Sequence, residues 1–189
     1  DSEPSRGLGD VYKRQAPAAL LLILVLIFFA LKKSTPTLIV FFTLPFALLG
    51  GVLYIKLLGF SMSIAVVVGF MALLGVAAET AIVMIVYLQE SVDEAKEKYK
   101  EKFSPLHLRE AIYEGAVQRV RPKLMTVFSI LAGLAPIMYT SGVGSEVMQR
   151  IAAPMLGGVI SSAILSLVII PILFEIFSQR ELRRENEQR

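Results

Sequence analysis

The chain contains no cysteine, which excludes disulfides and thiolate metal sites. Its single histidine, His107, lies in a polar stretch and cannot build a histidine metal site alone. Charge is scarce: 19% of residues are charged against 55% hydrophobic. The charges are also bunched, whereas a soluble domain of 189 residues spreads them through every helix. No nucleophile–base pair and no phosphate-cradling glycine loop occurs. No covalent chemistry, bound cofactor or nucleic-acid partner is implied, and the chain does not read as an enzyme.

What remains is long apolar sequence. Five segments stand out, at 16–31, 37–60, 62–88, 124–140 and 151–177. A membrane span needs about 20 apolar residues at about 1.5 Å rise each. The pattern predicts an all-α membrane protein with five transmembrane helices, the first and fourth short enough to borrow length from their flanks. Positive charge is asymmetric between the connections. Lys32 and Lys33, the linker 89–123 and the tail 178–189 hold fourteen Lys and Arg, and the other two connections hold only Lys56 and Arg150. The positive-inside rule then places the C-terminus and the long linker in the cytoplasm. Arg6, Lys13 and Arg14 run against that orientation. Residues 1–15 resemble adapter-derived junctions in translated environmental reads and are set aside as a non-native segment. On that reading the chain is a fragment beginning in or just before a membrane helix.

The linker has two halves. Residues 91–102 mix charges and read as a solvated helix or a loop. Ser104 and Pro105 then offer an N-cap and a first-turn proline. Residues 106–120 follow with Leu108, Ile112, Ala116 and Val120 on one stripe, which predicts an amphipathic helix on the cytoplasmic face of the membrane. Pro122 is expected to break or kink the chain before the fourth span. Prolines at 17, 45, 136, 154 and 171 and glycine pairs at 50–51 and 157–158 point to kinked or broken helices, as transporters often have.

Glu79 interrupts a 27-residue run, 62–88, that is otherwise free of charge. An ionisable group near the middle of a span costs about 2.5–3.5 kcal/mol on insertion scales, which marks a proton, an ion or a partner. Ala72, Gly75, Glu79 and Val83 share a helix face, with Gly69 and Val76 at its edges. The small residues let another helix approach, so Glu79 is expected to point into a bundle. It is either a titrating carboxylate or a fixed structural one. Lys123 is the natural partner, although a lysine at a span end is also an ordinary topology anchor. Depth separates the two: Glu79 lies nine residues from the inner end of its span, roughly 13 Å along the axis. Lys123 must lie deeper than hydropathy places it, or an intermediary must bridge the gap. Met148 offers a thioether, a soft ligand suited to Cu(I) or Ag(I), where most methionines simply pack.

Three motifs carry a resemblance. They are Gly75-Val-Ala-Ala-Glu-Thr-Ala-Ile-Val-Met84, Gly115-Ala-Val-Gln-Arg-Val-Arg-Pro-Lys-Leu-Met-Thr126, and Gly142-Val-Gly-Ser-Glu-Val-Met-Gln-Arg-Ile-Ala-Ala-Pro-Met-Leu-Gly-Gly158. Together and in order they resemble the heavy-metal efflux branch of the resistance-nodulation-division (RND) permeases, of copper/silver exporter type, over residues 16–180. The resemblance implies the last five helices of a twelve-helix bundle. It implies a proton-driven exporter of the bacterial inner membrane that works as a homotrimer with a periplasmic adaptor and an outer-membrane channel. Glu79 and Lys123 stand where the copper/silver branch has part of its proton relay, and Thr126 where related drug exporters use a threonine. Met148 stands where the exporters place one member of a methionine path for the metal. The partner Asp, the other methionines and the remaining helices of the same permease have no counterpart here. Two alternatives stay open: a non-transporting membrane scaffold, and a secretion-type relative, each with Glu79 and Lys123 as structural partners.

Overall fold

The computed structural model describes residue 18 and residues 21–187. The helices are α1 (Leu21–Leu31), α2 (Ser34–Leu57), α3 (Ile64–Tyr99), α4 (Pro105–Leu134), α5 (Ser145–Ile164) and α6 (Ile170–Glu187). Among the described residues four segments are long and apolar enough to cross a membrane: Ser34–Leu57, Ile64–Tyr99, Pro105–Tyr139 and Ser145–Arg183. The described part of the expected first span is α1, an apolar helix shorter than these. The segment 1–15 and Pro17 lie outside the described residues.

Helices α2, α3 and α5 cross where their side chains are small. On α2, Gly50 faces the backbone of Gly157 and the side chain of Ser161, and Gly51 faces Pro154 and Phe70. On α3, Gly69 meets the backbone of Ile151, and Leu73 fills the space over Gly158. A methyl group at Gly50, Gly69, Gly157 or Gly158 would overlap a neighbour. Ser161 Oγ reinforces the α2–α5 crossing by reaching the Ala47 carbonyl at 2.7 Å. The glycine pairs therefore bring helices together. They do not break them, as α2 and α5 both run through their glycines.

The prolines divide. Pro45 and Pro154 lie inside unbroken helices. Pro171 follows a π-helical turn at Leu165–Ile169. A proline lacks the N–H that residue 167 would receive, and the ladder there widens, with Ile170 N–H reaching Leu165 O.

The linker differs from expectation. α3 does not stop near residue 88 but continues to Tyr99, a helix of 36 residues, about 54 Å long. α4 begins at Pro105 with Ser104 at its N-cap, as the sequence predicts, and passes through Pro122 without a break. The expected amphipathic helix is therefore the first half of α4, continuous with the fourth span. Its apolar stripe faces protein: Leu108 and Ile112 are buried with Leu88 and Val92 of α3 and Phe174 of α6, and Ala116 packs against the same cluster. Gly115 is the contact point, its Cα closed in by Ser91 and the Tyr87 backbone. Val120 is exposed. Pro122 can stay helical because both flanks are anchored, the first half by Leu108 and Ile112 and the second by Val127.

At the tip of this helical hairpin the His107 ring stacks on Tyr99, with centroids 3.9 Å apart. Ser104 N–H donates to His107 Nδ1 at 3.3 Å, and Ser104 Oγ lies 2.9 Å from the same nitrogen. Arg109 pairs with Glu175 of α6 at 3.7 Å, and Thr35 of α2 donates to Glu181 at 3.2 Å. The two connections poor in charge meet at the opposite end, where Arg150 donates to Ser61 Oγ at 3.3 Å.

Two substitutions test this packing. Gly157→Val should lower the stability of the α2–α5 crossing by about 1–3 kcal/mol, the usual effect of overpacking; an unchanged melting temperature in detergent would refute the close approach. Ser104→Ala should cost the start of α4 about 1 kcal/mol and speed amide exchange in its first turn.

Candidate functional site

α4 packs on α3 toward the hairpin tip, through Leu108, Ile112 and Gly115, and farther along its Val127 joins the cluster of Leu73. Between them the helices stand apart around a cavity of about 200 Å³. Glu79, Thr80, Val83 and Met84 line it from α3, and Arg119, Lys123 and Thr126 from α4. Ser166 and Leu167 of the π-turn close its third side.

The continuation of α3 and α4 past the expected span ends resolves the depth problem. Lys123 is not at a helix end but well inside α4, and it sits level with Thr80. Its Nζ donates to Thr80 Oγ1 at 2.6 Å. The Thr80 hydroxyl in turn donates to the Val76 carbonyl one turn back, at 2.7 Å. Among the described residues no ion pair joins Lys123 to Glu79, yet the carboxylate is near enough for its charge to act on the ammonium. Thr126 Oγ1 donates to the Pro122 carbonyl at 3.1 Å, one turn back on α4. Arg119 lies over the Tyr87 ring at 3.9 Å, a cation–π contact at the charged end of the cavity.

The three residues expected in a relay, Glu79, Lys123 and Thr126, thus share one cavity. The small-residue face expected beside Glu79 divides. Gly69 is covered by α5, whereas Ala72, Gly75 and Glu79 are exposed and a methyl group at Gly75 would meet nothing. No helix among the described residues covers Glu79 from that side. Met148 does not line the cavity. It lies in the first turns of α5, near the opposite end of the bundle, and is 58% exposed. Among the described residues no group of three or more His, Cys, Asp and Glu comes together.

Sequence reasoning passed over Thr80, Arg119 and Ser166. Thr80 had a signal, since it directly follows Glu79 in the first motif and is the polar residue nearest to it. Ser166 had only the downstream Pro171, whose disruption of the helix ladder turns this serine and Leu167 toward α3 and α4.

Comparison with known proteins gives the relationships. The model of the AcrB/AcrD/AcrF family matches residues 10–178. The putative cation efflux system protein SilA of Salmonella typhimurium is 46% identical over 173 residues, covering 91% of this chain and 16% of SilA. The cation efflux system protein CusA of Escherichia coli (strain K12) is 46% identical over 165 residues, covering 87% of this chain and 16% of CusA. The solved structure of a heavy metal efflux pump, crystal form II, superimposes with a TM-score of 0.73 at 33% identity, covering 87% of this chain and 15% of that one. The chain spans about one sixth of the length of these relatives. With the family's pattern running through all of its long membrane helices, the chain belongs to the AcrB/AcrD/AcrF family.

Proposed function

We propose that this chain is part of a proton-driven metal cation efflux permease of the bacterial inner membrane, of copper/silver type, and carries part of its proton relay. The observation that carries the reading is that Glu79 and Lys123 line one cavity, with Lys123 bonded to Thr80, the residue next to Glu79. The 46% identity to two cation efflux proteins supports the transport class. The choice of soft monovalent ions rests on Met148 and on the Glu79–Lys123 combination, which match the copper/silver pattern. A thioether favours Cu(I) and Ag(I) over harder ions.

In this reading Glu79 is the titrating group. While ionised it attracts Lys123 across the cavity. A proton on Glu79 removes that attraction, and α3 and α4 settle differently against one another. Charge state and helix position are then two views of one equilibrium, which is how a proton couples to a distant event. Thr126 adds a hydroxyl to the same cavity. The exposed Ala72–Gly75–Glu79 face receives a helix from the rest of the permease. The linker hairpin and the C-terminus lie in the cytoplasm, following the positive charge. The assembly is a homotrimer with a periplasmic adaptor and an outer-membrane channel, embedded in lipid. Met148, at the end away from the cytoplasm, is one station for the outgoing ion.

Two outcomes follow for the full-length permease. Glu79→Gln should abolish copper and silver resistance while expression and trimer assembly stay intact; normal resistance removes the relay and leaves a fixed structural carboxylate. Met148→Leu keeps the side-chain volume but loses the sulfur, and should lower silver resistance while proton-coupled counterflow persists. Unchanged resistance takes Met148 off the ion path.

A further inference from the structure

We propose that Thr80 is a positioning residue for the relay, an acceptor of fixed direction that holds the Lys123 ammonium beside Glu79 without letting the two charges close into an ion pair. The inference rests on the transport reading above and extends it to a residue that reading did not need.

The argument is one of hydrogen-bond inventory. A threonine hydroxyl has one proton and two lone pairs. The Thr80 proton is committed to the Val76 carbonyl at 2.7 Å. A lysine ammonium has three donors and no acceptor, so the 2.6 Å contact from Lys123 can only be received by a Thr80 lone pair. The hydroxyl is therefore oriented by the helix that carries it. Rotating it to donate elsewhere would break the bond to Val76 and turn a proton toward the ammonium. Thr80 is β-branched and its χ1 is restricted in a helix, which fixes the acceptor further.

Position gives this acceptor its use. Thr80 follows Glu79 directly, so its oxygen anchors Lys123 within reach of the carboxylate's field while the charges remain unpaired. A closed ion pair between packed helices is hard to open, because breaking it leaves a charge without a partner. Lys123 resting on a neutral oxygen keeps a partner whether or not Glu79 carries its proton. The charged groups that share the cavity with Lys123 are Glu79 on α3 and Arg119 on its own helix. The π-turn contributes only Ser166 and Leu167, and the Ser166 hydroxyl is already donated to the Ala163 carbonyl at 3.0 Å.

The test uses the full-length permease in proteoliposomes, with Ag(I) as the cargo and the pH dependence of transport as the readout. Thr80→Val keeps the shape and removes the acceptor. Its transport profile should be displaced by about one pH unit, the displacement that a tenfold change in a protonation equilibrium produces. Thr80→Ala removes the same acceptor with less bulk and should give the same displacement. Thr80→Ser restores the oxygen and should overlay the wild-type profile. The proposal is overturned if the Val and Ala profiles coincide with wild type, or if Ser is displaced as far as Val. Glu79→Gln and Lys123→Met separate this from the broader reading. If those two variants still couple silver to protons, the relay itself is wrong. If they are inactive and Thr80→Val matches wild type, only the role of Thr80 is wrong.

Discussion

The architecture depends on how closely α5 can approach α2 and α3. Glycine and small side chains at the crossings set that distance: Gly50 and Gly51 on α2, Gly69 on α3, Gly157 and Gly158 on α5. In a lipid environment the hydrophobic effect does not drive helices together, so backbone proximity and dispersion contacts must do so. Once α2, α3 and α5 are locked, α4 is left at the edge. Only 6% of its most apolar stretch is buried, against 44% for the α5–α6 segment. Its apolar contacts lie to either side of the cavity, and across the cavity itself it is joined to α3 by the Lys123–Thr80 hydrogen bond.

Within that gap the electrostatics are spare. A cation inside an apolar bundle needs a partner, and Lys123 has a single short bond to a neutral hydroxyl. The Glu79 carboxylate lines the same cavity. Such an arrangement sits between a committed ion pair and an orphaned charge, so a small change at Glu79 alters the balance. Arg119, at the same cavity, rests on the Tyr87 ring.

The long apolar helices and the place of Glu79 within one of them were legible in the sequence because both are local signals. The starts of α2 and α3 fall within three residues of expectation, and the Ser104–Pro105 start of α4 falls where the cap chemistry puts it. The lengths of α3 and α4 were not legible. Hydropathy ends a span where charges begin, but a helix ends only when its backbone hydrogen bonds do, and residues 89–99 are good helix formers whose apolar members Val92 and Ala95 find α4 and α6. The expectation of a break or kink at Pro122 meets an α4 that is not broken there, because the local rule ignores anchoring from neighbouring helices. For the same reason the Leu108–Ile112 stripe was assigned to lipid when it belongs to α3. Glu79 and Lys123 could be named as residues, but the Lys123–Thr80 bond required the register between two helices, which no single segment encodes.

The unbroken length of α3 has a mechanical consequence. Glu79 lies near the waist of the rod and Tyr99 at its tip, roughly 30 Å farther along. No proline or glycine interrupts the stretch between them, so it has no hinge at which to absorb bending. A few degrees of tilt at the carboxylate become a sway of a few ångströms where Tyr99 clasps His107. The hairpin is thus a pointer whose far end magnifies what happens in the middle of the bilayer, and a spectroscopic label at its tip would read out that motion.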